Sequence, residues 1–443
     1  MHWPRPRCPS PLQHQLMDSG LPSDSKLPVA ASAFEGPDEL PSEAMTVPDG
    51  GLRAWTTIAG AWLVLFGTFG YIYSFGVFEE YYALVYLTNH TPSSIAWIGS
   101  FQLMSPFALG IVSGQLLDAG HFHSTEIFGD ISQVFMNPQL VSFYPFSLRF
   151  SQGLGMGLGL GFTFIPTVAV CSHYFSKRRG LASGIALSGL ALGATIFPIS
   201  DHLLPKIGFG PAVRSTGYVV LAAIIPGNML MRARLPPRSQ RPGAVAPNIG
   251  SFFTDAPYMW SIAGLALASI GVTFPLIYIQ LFATQHSVGS SIAFYSIAIM
   301  NGSSAVGRIV GTHLADVYGP FNVQIGCTMS TGALVWAVLG IHNTWTLVLV
   351  SALYGILSGL ALAVACLASQ AKSPSEVGAR TGVAMALASL GFLTSSPIQG
   401  ALLTENFLWI RPTAFAGSLM FAGSLVLVWA RLLRTRRVSS HRV

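Results

Sequence analysis

Long apolar segments alternate with short polar segments along most of the chain. Each apolar segment is close to the ~20 residues that a helix needs to cross the hydrocarbon core of a membrane. A helix is the expected form, because a backbone in contact with lipid must satisfy its hydrogen bonds internally. The sequence therefore predicts an all-α integral membrane fold with about twelve transmembrane helices. The predicted spans lie near 55–78, 94–117, 124–142, 145–171, 180–204, 212–231, 258–283, 290–314, 321–341, 345–369, 380–403 and 411–433.

Most of the basic residues mark one side of the membrane. Lys177, Arg178 and Arg179 stand together between two apolar runs, and each would cost about 2.5–3.5 kcal/mol inside hydrocarbon. By the positive-inside rule this segment faces the cytosol. The loops predicted on the opposite side hold little beyond Lys206 and Arg411. We therefore expect a multi-pass protein of the plasma membrane with both termini in the cytosol. The other basic residues predicted on the cytosolic side are Arg232, Arg234, Arg238, Arg241, Lys372, Arg380, Arg434, Arg436 and Arg437.

Composition supports the membrane assignment and excludes several other classes of protein. Hydrophobic residues make up 51% of the 443 residues and charged residues only 9%, whereas soluble domains carry about 25% charge. The net charge of +6 comes from basic residues at the ends of apolar runs, which is typical of topology signals rather than of nucleic-acid binding. No spacing of His, Cys, Asp or Glu suits a metal, and no catalytic constellation is present. We expect no enzyme, no cofactor and no metal.

The polar segments also divide the chain into five regions. Residues 1–50 are rich in Pro, Ser and acidic residues, which is typical of a disordered tail. The Pro- and Arg-rich segment 232–256 is the longest polar interruption after that tail, and it separates two sets of six spans. We expect an N-terminal bundle over 51–231, a cytosolic linker over 232–256, a C-terminal bundle over 257–433 and a basic tail over 434–443.

The two sets of spans share local patterns. Arg179 and Arg380 each stand at the start of a helix with a face of small residues, and Asp118 and Asp316 each follow a span at matching places. Such internal repetition indicates two pseudo-symmetric six-helix bundles, as in secondary transporters. Small residues let membrane helices pack closely. On the fifth predicted span they are Ala182, Gly184, Ala186, Gly189 and Gly193.

The third predicted span, 124–142, is the least apolar of the twelve. It contains Glu126, Asp130 and Gln133 among other polar residues. Removing it would invert the orientation of every later loop, so the charge pattern requires it. Two interpretations remain open: the segment lines a polar cavity, or its sequence is degraded or wrongly translated.

Two motifs resemble those of the monocarboxylate transporter family, in particular its fungal branch, within the major facilitator superfamily. Pro48-Asp49-Gly50-Gly51, with Ala54-Trp55, is similar to the family's motif before the first helix. The run from Tyr174 to Ala186, YFSKRRGLASGIA, is similar to its signature before the fifth helix. Arg149-x-x-Gln152-Gly153 resembles a superfamily pattern in the fourth helix. The resemblance implies the major facilitator fold and transport of small organic molecules, proton-linked or facilitated, by alternating access.

Several positions depart from the animal lactate carriers of that family. The outer end of the first helix has no Lys, and Ser304 stands where those carriers have an Asp four residues before Arg308. His121 and His123 stand in an inner loop that normally carries Arg or Lys, and Thr312 replaces a usual Gly. Lactate-type chemistry through a Lys, Asp and Arg relay is therefore disfavoured.

One cation stands deep in an apolar run and is the main candidate for substrate binding. Arg308 lies well past the start of the eighth span, and an intramembrane cation indicates a functional site by default. Its guanidinium could bind a carboxylate through two hydrogen bonds; the alternative is a structural contact near the inner mouth. The other candidates share helices that line the central cavity in this architecture: Asn301, Tyr71, Tyr73, Tyr278 and Tyr354.

Other charged residues are candidates for coupling and gating. Asp130 and Arg149 lie on neighbouring spans, where a buried pair could link protonation to conformational change or serve as a structural ion pair. Asp118 and Asp316, at the inner ends of the second and eighth spans, could cap neighbouring helices and pair with inner-loop arginines such as Arg179. The alternative for both is plain helix termination.

These observations predict a secondary-active transporter for a small organic substrate. The aromatic candidates and the loss of the Lys and Asp favour an organic acid or apolar metabolite larger than lactate, and export of a secondary metabolite fits them. The alternatives are proton-linked uptake of a monocarboxylate or vitamin-like solute, and a sensor or scaffold of the same fold that transports nothing. The expected partners are the substrate, the lipid bilayer and protons as a candidate coupling ion, with no requirement for an oligomer.

Overall fold

The structure is a computed structural model. It describes residues 49–73, 92–135, 153–175, 178–200, 208–240, 248–286, 288, 290–361, 365–371, 377–404 and 407–438. The predicted tail therefore falls almost wholly outside the described residues. The regular elements within these ranges are helices. In the first half they are α1 (Leu52–Gly67), α2 (Phe69–Tyr73), α3 (Pro92–Ala108), α4 (Gly110–Asp118), α5 (Phe122–Phe135), α6 (Met156–Cys171), α7 (Arg179–Ser200) and α8 (Phe209–Leu230).

The second half has the same style of organisation. Its helices are α9 (Ala256–Gln285), α10 (Ser290–Tyr318), α11 (Pro320–Ala337), α12 (Thr344–Ala361), α13 (Ala365–Ala368), α14 (Val377–Leu403) and α15 (Ile410–Val438). Short 3₁₀ helices occur at Arg238–Gln240 and Ile249–Phe252 in the predicted linker and at Val338–Gly340. Helix α15 continues past the boundary at 433 that the sequence predicts, to Val438.

Where the structure describes it, each predicted span overlaps one helix or two consecutive helices. The first span is α1 with α2, the second is α3 with α4, and the tenth includes α12 and α13. Within the described residues, seven helical segments are long and apolar enough to cross a membrane. The break between α3 and α4 follows Pro106, which lacks the backbone N–H that would continue the helical hydrogen bonds. The all-helical membrane fold with about twelve spans is confirmed.

Helix α7 packs through its small residues, as the sequence predicts. A Cβ on Gly189 would contact the carbonyl oxygen of Trp62 on α1 and lie 3.1 Å from its carbonyl carbon. A Cβ on Gly193 would lie 2.8 Å from the Cα of Gly70 on α2. Gly184 faces the other half, where a Cβ would lie 2.9 Å from the carbonyl oxygen of Arg308. Close backbone approach therefore holds α7 between α1 and α10.

The two halves meet through two pairs of helices. Helix α7 packs against α10, and α14 packs against α3 and α4. In the second contact the rings of Phe107 and Phe392 stack with centroids 5.4 Å apart. In the first contact the Asn301 amide donates to the carbonyl of Ala194, 3.4 Å away, and the Thr195 hydroxyl donates to the carbonyl of Ala298 over the same distance. These bonds close the end of the molecule opposite Arg179.

The end that bears Arg178, Arg179 and Arg380, which we term the basic end, brings the two sequence motifs into contact. The backbone N–H of Asp49 donates to the carbonyl of Tyr174 over 3.0 Å. The rings of Trp55 and Phe175 meet edge to face with centroids 5.2 Å apart. The Tyr174 hydroxyl donates to the carbonyl of Arg232, just past α8. The two motifs thus join the start of α1, the turn before α7 and the linker.

The third span is a regular helix in the residues described, α5. Its polar side chains Glu126, Asp130 and Gln133 are buried, and α5 packs against α6, α8 and α4. Its apolar side chains Ile127 and Phe128 are exposed, which suits contact with lipid. The polar content of this segment therefore faces the protein interior, which favours an intact span; residues 136–142 lie outside the described part.

Candidate substrate cavity

A cavity of about 450 Å³ lies between the two halves. The exposed residues Arg179, Asp316 and Gly378 line its mouth, so the cavity opens at the basic end. Its inner wall includes Phe69 and Tyr73 of α2, on the side away from that mouth. At the opposite end α7 and α10 are in contact through Asn301 and Thr195, so among the described residues the opening of the cavity lies at the basic end.

Arg308 is the buried cation of the cavity. It is 6% exposed, and it lines the cavity together with Tyr73 of the other half. Its Nε atom has no hydrogen-bond partner among the described residues. A buried guanidinium with an unused N–H can donate a hydrogen bond to an anionic or strongly polar oxygen of a substrate.

The remaining wall is mainly apolar and aromatic. Phe164 packs against Phe69 and Phe107, with ring centroids 4.5 Å and 5.2 Å apart, and Phe107 continues this contact to Phe392 of the second half. A few hydroxyl groups interrupt the apolar surface, among them Ser269. Such a wall suits an organic molecule with a large apolar body and few polar groups.

Four predicted binding residues do not line this cavity, because their polar groups bind other helices or their rings pack between helices. The Tyr354 hydroxyl donates to the carbonyl of Val272 over 2.6 Å, and the Tyr278 hydroxyl donates to that of Ser396 over 3.3 Å. Asn301 joins α10 to α7 as described above. Tyr71 is buried with its ring edge against Phe197, at 5.9 Å between centroids. These residues stabilise helix packing, whereas Arg308 and Tyr73 lie in the cavity.

The predicted gating residues have different surroundings. Asp316 lies beside the first turn of α7, where a Cβ on Gly180 would be 2.7 Å from its Oδ1 atom. Asp316 stands past the end of the predicted eighth span, in the last turn of α10, and is exposed at the cavity mouth. The positive N-terminal end of the α7 dipole also stabilises a carboxylate at this place. Arg179 is exposed at the mouth, and Asp118 is half-buried at the end of α4, away from the cavity lining.

The predicted pair of Asp130 and Arg149 involves one residue outside the described part of the chain, Arg149. Asp130 itself is 5% exposed and accepts a hydrogen bond from the Asn228 amide of α8. It does not line the cavity. Its neighbour on the same face of α5 is Glu126, which the sequence alone did not single out.

The sequence did not indicate several of the residues that line the cavity. Ser269, Thr312, Phe107 and Phe392 line the cavity, but each is a common type of residue within an apolar helix. Phe392 stands seven residues after Met385, which also lines the cavity, and this spacing of two helical turns indicates a common face. Only a prediction of which helix faces meet would have distinguished them from lipid-facing positions.

The chain is similar to curated fungal transport proteins over most of its length. No family model matches it. It is 34% identical to the aspyridones efflux protein apdF of Emericella nidulans over 399 residues, which are 88% of this chain and 80% of that protein. It is 32% identical to the MFS-type transporter pynF of Aspergillus niger, covering 93% of this chain and 95% of that protein. The MFS-type transporter pytF of Aspergillus terreus is 36% identical and covers 67% of this chain, with 99% of that protein aligned.

A solved structure shares the fold. The crystal structure of a D-xylose–proton symporter superposes with a TM-score of 0.62 at 14% identity, covering 84% of this chain and 96% of that one. The paired bundles with a central cavity are therefore the major facilitator fold. On the identity and coverage of its fungal relatives, the chain belongs to the MFS-type transporters of the major facilitator superfamily, and it is a multi-pass membrane protein that transports small molecules.

Proposed function

We propose that this transporter exports an organic acid or apolar metabolite of fungal secondary metabolism across the plasma membrane. The single observation that carries the proposal is the cavity: a largely apolar space of about 450 Å³ with one buried guanidinium, that of Arg308. An efflux protein for aspyridones is among the relatives. The size and walls of the cavity suit a larger organic molecule better than lactate.

The direction of loading follows from the orientation. Basic residues concentrate at the end where the cavity opens, and on the positive-inside rule we propose that this end and both termini face the cytosol. The cavity is then accessible to a cytosolic substrate. For transport, α7 and α10 would separate at the closed end while the basic end closes, which is alternating access between two bundles. We propose that Asp316, Arg179 and Asp118 stabilise the closed state of the basic end.

Within the superfamily, we place the chain next to the monocarboxylate transporters. The two motifs that suggest this placement contact each other through Asp49 and Tyr174, and through Trp55 and Phe175, so they act as one structural unit. Uptake of a monocarboxylate is the second candidate, because Arg308 could bind any carboxylate. The direction of net flux in intact cells separates the two candidates.

The binding role of Arg308 can be tested in cells that carry or lack the gene. We expect the exported metabolite to accumulate inside the deletion strain and to disappear from its medium, as measured by comparing intracellular and extracellular metabolites. Arg308→Ala should reduce export about 10-fold or more, since hydrogen bonds to charged groups are worth ~1.5–3 kcal/mol. Arg308→Lys should fall between the two, because Lys keeps the charge but loses the paired donors.

The matched control is Arg411→Ala, because Arg411 is an exposed arginine at the start of α15. Both variants must reach the membrane at equal levels, which quantitative blotting of membrane fractions checks. Normal export by Arg308→Ala at equal abundance would remove Arg308 from the binding site. Identical metabolite profiles with and without the gene would instead contradict export itself.

A further inference from the structure

Helix α5 has its polarity reversed relative to a helix of a soluble protein. Ile127, Phe128 and Ile131 are about half exposed, at 49%, 56% and 50%, whereas Glu126 and Asp130 are 0% and 5% exposed. Glu126 and Asp130 are four residues apart and therefore lie on one face of the helix, one turn from each other. The first bundle thus encloses two carboxyl groups, and neither lines the central cavity.

Each of the two carboxyl groups receives a hydrogen bond from a neighbouring helix. The Thr167 hydroxyl of α6 donates to Glu126 Oε1 over 2.9 Å, and the Asn228 amide of α8 donates to Asp130 Oδ2. Gly129 and Gly159 bring α5 and α6 together between these positions, since a Cβ on either would lie 2.6 Å from the carbonyl oxygen of the other. The site is therefore built from three helices in close contact.

The site has more hydrogen-bond acceptors than donors. Among the described residues, no partner is present for four buried oxygen atoms: Glu126 Oε2, Asp130 Oδ1, Gln133 Oε1 and Asn228 Oδ1. Gln133 is 2% exposed and uses its amide N–H to bind the carbonyl of Thr68 over 3.2 Å, which leaves its oxygen available. One or more donors are needed to satisfy this group of oxygens.

Among the described residues, no charged group on the surrounding helices compensates the two carboxylates. In the part of the chain that the structure describes, neither Glu126 nor Asp130 forms an ion pair. On α8, Arg214 precedes Asn228 by 14 residues, which is roughly 21 Å along a helix. The other charged or titratable groups that the structure describes on α4, α5, α6 and α8, or just after them, are Asp118, His123, Cys171, Tyr218 and Arg232. The segment that Gln133 contacts through Thr68 adds Tyr71 and Tyr73 of α2.

We propose that Glu126 and Asp130 form a proton-binding site within the first bundle. Two adjacent carboxylates cannot both stay ionised in a buried, low-dielectric site without a cation, so the pair retains at least one proton. Binding a proton converts one carboxylate to a carboxyl group, which removes a negative charge and adds the O–H donor that the unpartnered oxygens require. The proton comes from water, and it returns to water when the site is opened.

The proton has a short route to the basic end. Glu126 stands four residues after the start of α5, which is roughly 6 Å along the helix axis. The α5 start follows exposed His121. Because the donors are on α6 and α8, protonation changes how strongly α5 is held to both helices. The site would thereby respond to pH on the same side as the cavity mouth, independently of which substrate the cavity binds.

Infrared spectroscopy of the purified full-length protein in lipid tests this site directly, because a protonated carboxyl group has a carbonyl stretching band that an ionised one lacks. We expect a pH-dependent band of this type in the wild-type protein between about pH 5 and about pH 9. Glu126→Gln and Asp130→Asn should each weaken it, and the double variant should remove it. Glu35→Gln, in the predicted tail, is the control and should leave it unchanged.

A second pair of variants keeps both carboxyl groups, so it tests the site even if the carboxyl variants fail to fold. Thr167→Ala and Asn228→Ala remove a donor that favours the ionised form, so the band should persist to a pH about one to two units higher. An unaltered band in the double carboxyl variant would overturn the proposal. So would a wild-type band that disappears when sodium replaces choline in the buffer, which would indicate a sodium ion in place of the proton. None of these outcomes depends on whether the protein exports a metabolite.

Discussion

Arg179 and Arg380 occupy matching places in the two halves, yet their surroundings differ. Each lies at the basic end, at or near the start of a helix that packs against the other half. Arg380 is 0% exposed and forms an ion pair with Asp255, with 2.8 Å between Nη1 and Oδ2. Its guanidinium also lies over the rings of Phe252 and Tyr258, 4.8 Å and 5.3 Å from their centroids. Arg179 is exposed at the mouth of the cavity.

The difference shows that the internal repeat of the sequence determines the position of each arginine in its half, but not the contacts that its side chain makes. The segment before α9 supplies Asp255 and Phe252, so the second half attaches the linker to α14 through a buried charge. A buried pair of this kind resists separation, because removing one partner leaves an uncompensated charge. An exposed arginine can exchange partners at little free-energy cost. The basic end therefore combines one buried, ion-paired arginine with one that is exposed.

Breaking the buried pair should give the largest effect on stability. We expect Arg380→Ala to lower the free energy of unfolding by about 3–5 kcal/mol, because it removes a buried guanidinium and its ion pair with Asp255, whose side chain is 11% exposed. Arg179→Ala should change it by no more than about 0.5 kcal/mol, since Arg179 is exposed. Denaturant unfolding of both variants in the same detergent measures the contrast.

A double variant separates the ion pair from simple loss of packing. Asp255→Asn with Arg380→Met removes both charges and keeps much of the side-chain volume, so it should be less destabilising than Arg380→Ala alone. Equal losses for Arg179→Ala and Arg380→Ala would contradict the distinction between the two halves.

The features that the sequence predicted well depend on local properties. Apolar length defined the spans, and the small side chains of Gly184, Gly189 and Gly193 marked the face of α7 that packs closely. Arg308 could be recognised because a lone cation in an apolar run has few structural explanations. These signals need no knowledge of which helices are neighbours.

The features that the sequence could not predict depend on how helices are rotated against each other. Tyr73 and Tyr71 differ by two positions, about 200° around a helix, and only Tyr73 reaches the cavity. Arg380 was assigned to a cytosolic loop because the sequence does not show that Asp255 and Phe252 enclose it. The same limit applies to α5, whose polar residues indicated a doubtful span until the partners on α6 and α8 were known.

The two contacts between the halves should differ in their tolerance of a single added methyl group. On α7, a Cβ at position 184 would lie 2.9 Å from the Arg308 carbonyl oxygen and 3.3 Å from Ile309 Cα. On α14, the nearest atoms to a Cβ at position 382 are 3.7 Å away. Gly184→Ala should therefore destabilise the protein by about 1–3 kcal/mol through overpacking, as unfolding in detergent would show.

Gly382→Ala is the matched control for that substitution. It should be neutral or stabilising by up to about 1 kcal/mol, because alanine favours a helix over glycine and meets only ordinary contacts. A neutral Gly184→Ala would mean that α7 and α10 are less closely packed than the glycine faces indicate. Loss of stability in both variants would instead mean that the two contacts between the halves tolerate an added methyl group equally poorly.

The smallest expected difference concerns two tyrosines that perform the same task in the two halves. The Tyr258 hydroxyl donates to the Arg380 carbonyl over 2.7 Å, and that of Tyr174 donates to the Arg232 carbonyl over 3.0 Å. Replacing either by Phe removes one hydrogen bond, worth about 0.5–1.5 kcal/mol. Tyr258→Phe should cost an amount at the upper end of this range, because Tyr258 and Arg380 are fully buried and the Arg380 carbonyl loses that donor. Tyr174→Phe should cost less, because Arg232 is exposed and water can replace the lost hydrogen bond. Thermal unfolding of the two variants should therefore rank Tyr258→Phe below Tyr174→Phe, and the reverse order would place the more rigid attachment in the first half.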